Sequence, residues 1–168
     1  QFYFTMNVMN EVGSEIRLSF VKDGLVFAQL DVSDSTDAIS TLADQLFKQG
    51  FVTESYKQAV LDREEIFPTG LPSGEGGVAI PHTDVKYVNK PVIAFATLKK
   101  PVFFKNMADK SKDVEVRFVA MLAMKEPHSQ VQLLQKLMEM FQEQELMSKL
   151  VEYKDSKELY DALASYFN

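Results

Sequence analysis

The chain contains no cysteine. Disulfides, thiolate nucleophiles and Cys-ligated zinc are therefore excluded as chemistry of its own. It also lacks any hydrophobic run near the roughly 20 residues that cross a bilayer. No charged-then-apolar leader of the secretory type is visible. Positive charge is in short supply, with 18 Lys+Arg against 24 Asp+Glu and a net charge of −6. That balance works against non-specific binding to nucleic acid or to an anionic membrane surface, since both are polyanions. The expected setting is the cytoplasm. Histidine is scarce too, with two in 168 residues, so the surroundings of each are informative.

What is present suits a globular protein. A hydrophobic content of 46% in a chain of this length is enough for one domain with a substantial core. No internal repeat, low-complexity stretch or linker divides it, so residues 1–168 are expected to form a single domain. Residues 1–9 are expected to be a tail or an expression remnant, with Gln1 to Thr5 lying ahead of Met6.

Periodicity supplies the elements. Ile16, Leu18 and Phe20 alternate with Arg17 and Ser19, a strand-like period of two. Asp23-Gly24 then separates them from the apolar run Leu25 to Leu30, which predicts a hairpin whose second run is the firmer strand. Asp34 or Ser35 can cap a helix carrying Ala38, Ile39, Leu42, Leu46 and Phe47, closed by Gly50. Thr53 can cap a second helix with Tyr56, Ala59 and Val60 on its apolar side. Pro68 stops that helix near Ile66, which leaves Arg63 in its last turns.

Residues Thr69 to Gly77 read T-G-L-P-S-G-E-G-G, a flexible loop by composition. The short strand Val78-Ala79-Ile80 leads into Pro81-His82. Continuous apolar runs at Val92 to Leu98 and Val114 to Met124 suggest strands covered on both faces. Glu126-Pro127-His128 opens a long helix, with Pro127 suited to its first position and Val131, Leu134, Met138 and Phe141 on one face. Met138 and Met140 are expected in the core. A short helix at Leu146 to Val151 and a last one at Ser156 to Phe167 follow. The fold class is α/β: a mixed β-sheet flanked by helices on both faces.

Against that frame the two histidines stand out. His82 sits just past a strand and a proline, where a side chain is displayed from a fixed backbone. Imidazole titrates near neutrality, so a neutral nitrogen nucleophile is available there. His128 falls in the first turn of a helix, where unpaired N–H groups and the dipole favour an incoming anion. Arg63 can offer a planar, permanently charged fork to phosphate oxygens. Each residue also has an ordinary explanation. A histidine beside a proline is usually a surface or packing residue, a histidine at a helix start a polar terminus, and an arginine on a helix a solvated charge. The glycine-rich loop lacks the G-x-x-x-x-G-K-[ST] pattern of a nucleotide-binding loop. His82 and Asp84 could share a metal, but no third ligand stands at a telling spacing. Neither a metal nor a cofactor is expected.

The string R-E-E-I-F-P-T-G-L-P-S-G-E-G-G-V-A-I-P-H-T-D, Arg63 to Asp84, decides between these readings. It resembles the active-site segment of the EIIA domains of the fructose-mannitol class, components of the bacterial phosphoenolpyruvate-dependent sugar phosphotransferase system. The segment Pro127 to Leu137, P-H-S-Q-V-Q-L-L-Q-K-L, resembles that family's second-histidine helix, and D-S-K-E-L-Y-D-A-L near the C-terminus is similar as well. The resemblance extends over roughly Leu25 to Phe167. It implies that His82 is the histidine phosphorylated, on Nε2, by the phosphocarrier HPr. It implies that His128 contacts and stabilises the phosphoryl group and that Arg63 neutralises its charge. Thr69 and Glu75 would orient the imidazole, although the loop Gly70 to Gly77 is longer than the mannitol-type pattern. The implied acceptor is a cysteine of EIIB, with the membrane component EIIC acting downstream. Since the chain holds no cysteine, EIIB must be a separate polypeptide or lie outside these residues. F-P-T-G-L-P and P-H-T-D look most like the galactitol-type branch, which points to a galactitol-like polyol.

Two other functions compete with transport. EIIA-like proteins of the nitrogen-related type, and EIIA-like domains of activators, share A-I-P-H and signal by phosphorylation state. His128 favours transport, and no helix-turn-helix module is visible. A hydrolase with His82 as base lacks a carboxylate partner or nucleophile at recognisable spacing.

Overall fold

The computed structural model describes residues 20–74 and 76–167. Strands β1 (Val21–Leu30), β2 (Gly70–Ser73), β3 (Gly76–Ala79), β4 (Val92–Lys105) and β5 (Asp113–Ala123) form one sheet in the order β1-β4-β5-β3-β2. It is mixed: β1 runs parallel to β4 and β3 parallel to β5, while β4–β5 and β2–β3 are antiparallel. Helices α1 (Ser35–Lys48) and α2 (Tyr56–Ile66) cover one face, and α3 (Pro127–Phe141), α4 (Gln144–Leu150) and α5 (Ser156–Phe167) the other. The expected α/β sheet with helices on both faces is what forms.

The alternation of β4 explains this layering. Val92, Ala94, Ala96 and Leu98 join the core under α1 and α2, whereas Ile93 and Phe95 join the core under α3 to α5. Leu42, Leu46 and Val60 close the first side, and Leu137, Leu159 and Leu163 the second, each essentially solvent-free. Burying a leucine or phenylalanine side chain stabilises by about 1.5–3 kcal/mol, so the two layers dominate the favourable side of folding. Among the described residues, no helix is long and apolar enough to cross a membrane.

Local chemistry sets several ends. Asp34 caps α1 by accepting from the Asp37 N–H at 2.8 Å, and Asp37 accepts in return from the Ser33 N–H at 2.9 Å. Helix α2 begins one turn later than its expected cap. The Thr53 N–H donates to the Tyr87 carbonyl at 2.9 Å, beside the Val52–Val88 bridge, and its hydroxyl is buried without a partner. The predicted hairpin at Asp23-Gly24 is also corrected. Both residues lie inside β1, which continues past a register shift between Val21 and Val26 to pair with β4. Residues 16–19, the first half of that hairpin, lie outside the described residues.

The predicted loop at Thr69 to Gly77 is instead a hairpin, β2–β3. Pro72 is tolerated because β2 is the sheet's edge, where a missing N–H costs little. Gly77 must lack a side chain, since a Cβ there would lie 2.4 Å from the Glu115 carbonyl oxygen. On α3 the buried stripe is Leu133, Leu137, Met140 and Phe141. Val131 and Met138 of the predicted face are exposed and Leu134 is half-buried. Phe47 of α1 is exposed as well.

Candidate functional site

His82 follows β3 after Ile80 and Pro81. The strand's last hydrogen bonds hold the approach to it: Thr69 Oγ1 accepts from the Ile80 N–H at 3.2 Å, and the Pro81 carbonyl accepts from the Leu122 N–H of β5 at 3.1 Å. Beneath this point the fully buried Tyr56 hydroxyl donates to the Leu122 carbonyl at 2.7 Å. Helix α2, strand β5 and the segment before His82 are thus pinned to one another.

The imidazole is half-buried and folds back on its own chain, with Nδ1 2.7 Å from the Ile80 carbonyl oxygen. A carbonyl can only accept, so Nδ1 carries the proton and Nε2 keeps its lone pair. Burial pushes the imidazole below its ordinary value; the Ile80 bond opposes this, and the Arg63 guanidinium nearby adds to it. His82 is accordingly neutral at physiological pH, with a nucleophilic nitrogen of fixed identity.

The Arg63–Thr69 segment supports it from α2, Arg63 by its charge and Thr69 through Ile80. Arg63 occupies the last turn of α2, exposed, with its guanidinium carbon 5.2 Å from the ring centroid of Phe67. Stacking on that ring holds the cation out of bulk solvent on one side. Thr69 is buried. Its N–H and hydroxyl both donate to Glu64 Oε1, at 2.9 and 2.7 Å. Burial raises the Glu64 carboxyl above its ordinary value, opposed by the two Thr69 bonds and by Arg63. Glu64 follows Arg63 in the string quoted above, but the sequence assigned it no role. A signal existed: Tyr56, Val60 and Glu64 recur every four residues, which places the glutamate on the inner stripe of α2. Glu75 lies outside the described residues.

His128 arrives by a separate route. β3 and β5 are parallel neighbours, so their C-terminal ends open at one edge of the sheet, the first leading to His82 and the second to His128. His128 is exposed in the first turn of α3, behind Pro127, and Glu126 provides no side-chain cap. Of the sequence-predicted residues, contacts and charge bring Arg63, Thr69 and His82 together, and topology brings His128 to the same edge. Asp84 does not join them; its carboxylate accepts from the Lys86 N–H at 3.0 Å. A groove of about 570 Å³, bordered by Ser73, Arg117 and Gln144, opens at the start of β3 rather than at its end.

This arrangement can hold an anion against a neutral imidazole and an arginine, which is what phosphoryl transfer asks of a protein. The galactitol-specific EIIA component of the phosphotransferase system of Escherichia coli K12 is 28% identical over 124 residues, 74% of this chain and 79% of that protein. The transcriptional regulator ManR of Bacillus subtilis 168 is 36% identical over 101 residues, 60% of this chain but 14% of the regulator. In the complex of enzyme IIAMTL with phosphorylated enzyme IIBMTL from E. coli, a chain 25% identical superposes with a TM-score of 0.70, covering 84% of this chain and 95% of that one. The family model for the phosphoenolpyruvate-dependent sugar phosphotransferase system, EIIA 2, matches residues 19–166, and the chain belongs to that family of phosphotransferase components.

Proposed function

We propose that this chain carries phosphoryl groups on His82 in the cytoplasm, taking each from phospho-HPr and passing it to a cysteine of an EIIB protein. The observation that carries the reading is the 2.7 Å bond from His82 Nδ1 to the Ile80 carbonyl, which leaves Nε2 as the free nucleophile. In the transfer, the Nε2 lone pair forms the new N–P bond as the donor's N–P bond breaks, and the departing electron pair returns to the donor's imidazole nitrogen. The His82 ring gains positive charge as the bond forms. The Nδ1–H then points that charge at the Ile80 carbonyl dipole, while Arg63 serves the phosphoryl oxygens. Thr69 holds the Ile80 main chain in place. His128, with the uncapped start of α3, receives the group from the other side. In the second step a thiolate attacks phosphorus, the N–P bond breaks, and its electron pair returns to Nε2.

Exposed apolar side chains suit brief docking. Ile66 and Phe67 at the end of α2 are 55% and 60% exposed, and Val131 stands one turn beyond His128. Likeness to a galactitol-specific EIIA and to a mannitol-type EIIA solved with phosphorylated EIIB supports a polyol pathway, with a galactitol-like substrate, and an EIIB partner acting ahead of membrane EIIC. A regulatory EIIA-like role is the second reading, favoured by the match to part of ManR.

The test is incubation with phosphoenolpyruvate, enzyme I and HPr, followed by intact mass and site mapping. One acid-labile phosphoryl group on His82, and none on a His82→Ala variant, is the expected result. Unchanged labelling of that variant would remove His82 from the role. A labelled chain that no EIIB discharges would favour regulation.

A further inference from the structure

We propose that Glu64 is a positioning residue of this relay. Through Thr69 and the main chain of Ile80, it holds the His82 imidazole in the tautomer whose Nε2 faces outward. The inference rests on His82 being the phosphoryl acceptor. Glu64 belongs to α2, and its hydrogen bonds go to Thr69 rather than to the imidazole. It acts through three hydrogen bonds in series.

A carboxylate that leaves water without partners is costly, so a half-buried one such as Glu64 needs donors. Glu64 has two, both from Thr69: the N–H at 2.9 Å and the hydroxyl at 2.7 Å from Oε1, with Oε2 also 3.0 Å from the hydroxyl. A threonine hydroxyl has one proton to give and lone pairs to receive with. Because its proton goes to Glu64, its lone pair is what faces the Ile80 N–H at 3.2 Å. An ionised carboxylate has only acceptor atoms, so it cannot support the reverse orientation, which would set an O–H against the N–H of Ile80.

Ile80 is thereby anchored on its amino side. On its carbonyl side the next residue is Pro81, which restricts Ile80 to extended geometry and fixes its own φ. The Pro81 carbonyl is in turn held by the Leu122 N–H at 3.1 Å. Between these anchors the Ile80 carbonyl has one direction, and His82 Nδ1 lies 2.7 Å along it. Removing the acceptor at Glu64 frees the Thr69 hydroxyl, loosens Ile80 and lets the imidazole exchange its proton between ring nitrogens. A ring protonated on Nε2 has no lone pair there to attack with.

The decisive variants are Glu64→Leu, which removes both acceptor atoms, and Glu64→Gln, which keeps one. Phosphoryl acceptance from phospho-HPr is measured against HPr concentration, and the His82 tautomer is read from ¹⁵N-resolved spectra of the imidazole. For Glu64→Leu the maximal rate is expected to fall about 10- to 100-fold, the scale of a misplaced reacting group. The half-saturating HPr concentration should stay unchanged, and an Nε2–H population should emerge. Glu64→Gln should restore the wild-type tautomer and most of the rate. Should Glu64→Leu not fold, Thr69→Val compared with Thr69→Ser makes the same distinction, because only the serine keeps a hydroxyl.

A wild-type tautomer and rate in Glu64→Leu, or in Thr69→Val, would overturn the proposal. So would a rate loss that Glu64→Gln fails to restore. If the wild-type chain takes no phosphoryl group on His82, the acceptor reading fails alone; the tautomer spectra then still decide what Glu64 does.

Discussion

The two histidines reach the same edge of the sheet by parallel strands, yet they are built in opposite ways. His82 is half-buried, bonded through Nδ1 to a carbonyl whose direction is set by β3, β5 and α2, and shifted by burial toward its neutral form. His128 is exposed on the first turn of α3, among main-chain donors that no side chain caps. In the proposed relay, that contrast suits His82 to accept the phosphoryl group and His128 to steady it. A nucleophile must present one chosen nitrogen at one angle, so its proton has to be fixed before the donor arrives. A residue that steadies an anion needs reach and freedom more than a fixed tautomer, and a helix start supplies the field whether or not the side chain is ordered.

The comparison breaks most sharply at Arg63, which belongs to the His82 side. Among the described residues, its guanidinium is the one cation that contributes to the shift of both His82 and Glu64. Arg63→Ala should therefore slow acceptance from phospho-HPr by about 100-fold, the usual scale for losing one preorganised group that stabilises transition-state charge. Arg63→Lys should recover part of the loss, since an ammonium keeps the charge but not the planar fork. Single-turnover labelling measures both. Near-wild-type acceptance by Arg63→Ala would mean that phosphoryl charge is neutralised from elsewhere, and the built side would lose its second member.

His128→Ala sharpens the contrast from the other side, with a smaller effect. Acceptance should persist, because the attacking nitrogen and its tautomer are untouched. Onward transfer to EIIB should fall about tenfold, the worth of a hydrogen bond to a charged group at about 1.5 kcal/mol. Loading the variant from phospho-HPr and then timing its discharge to EIIB separates the two steps. Equal losses in both would place the two histidines in one role and erase the division.

Sequence and structure agree best where one residue type settles the matter. The last helix, Ser156–Phe167, and the stop of α2 at Ile66 were legible from periodicity and from Pro68. The strand-to-histidine passage was legible from its A-I-P-H string. Elsewhere tertiary partners overrode local signals. Asp23-Gly24 looked like a turn, but β4 offered it a parallel partner and the glycine was absorbed as a bulge. Thr69 to Gly77 looked flexible because glycine and proline break isolated strands, yet here they fit a sheet edge and a close backbone approach. On α3 the expected stripe was displaced because Leu133, Leu137 and Met140 also lie at helical spacing, and only the sheet chooses between two apolar faces. At the site, Arg63, Thr69 and His82 came from the string. Glu64 stood in the same string, but its role escaped because a charged residue between Arg63 and Glu65 reads as solvated until the turn after α2 folds Thr69 back onto it.

The smallest predicted effect is in pH. A solvent-open imidazole would lose its nucleophilic form as pH falls through the ordinary value of 6.5, whereas in His82 burial has moved that loss lower. The fall in acceptance should thus lie below the ordinary value, so that as pH drops through it His82 keeps more of its nucleophilic form than an unshifted imidazole would. The same shift has a sign for stability. Between the unfolded and the lowered folded value the unfolded chain binds more protons, so this histidine's contribution is fully present above the unfolded value and is lost as pH falls toward the folded one. Subtracting the urea stability of His82→Ala at each pH isolates that contribution, since Glu64 and the surface carboxylates are common to both chains. Arg63→Ala should move the fall in acceptance to higher pH, because it removes a cation that disfavours imidazolium. A wild-type profile already half-lost at or above the ordinary value would mean that burial does not hold the His82 imidazole neutral, and the built side would keep only its hydrogen bond to Ile80.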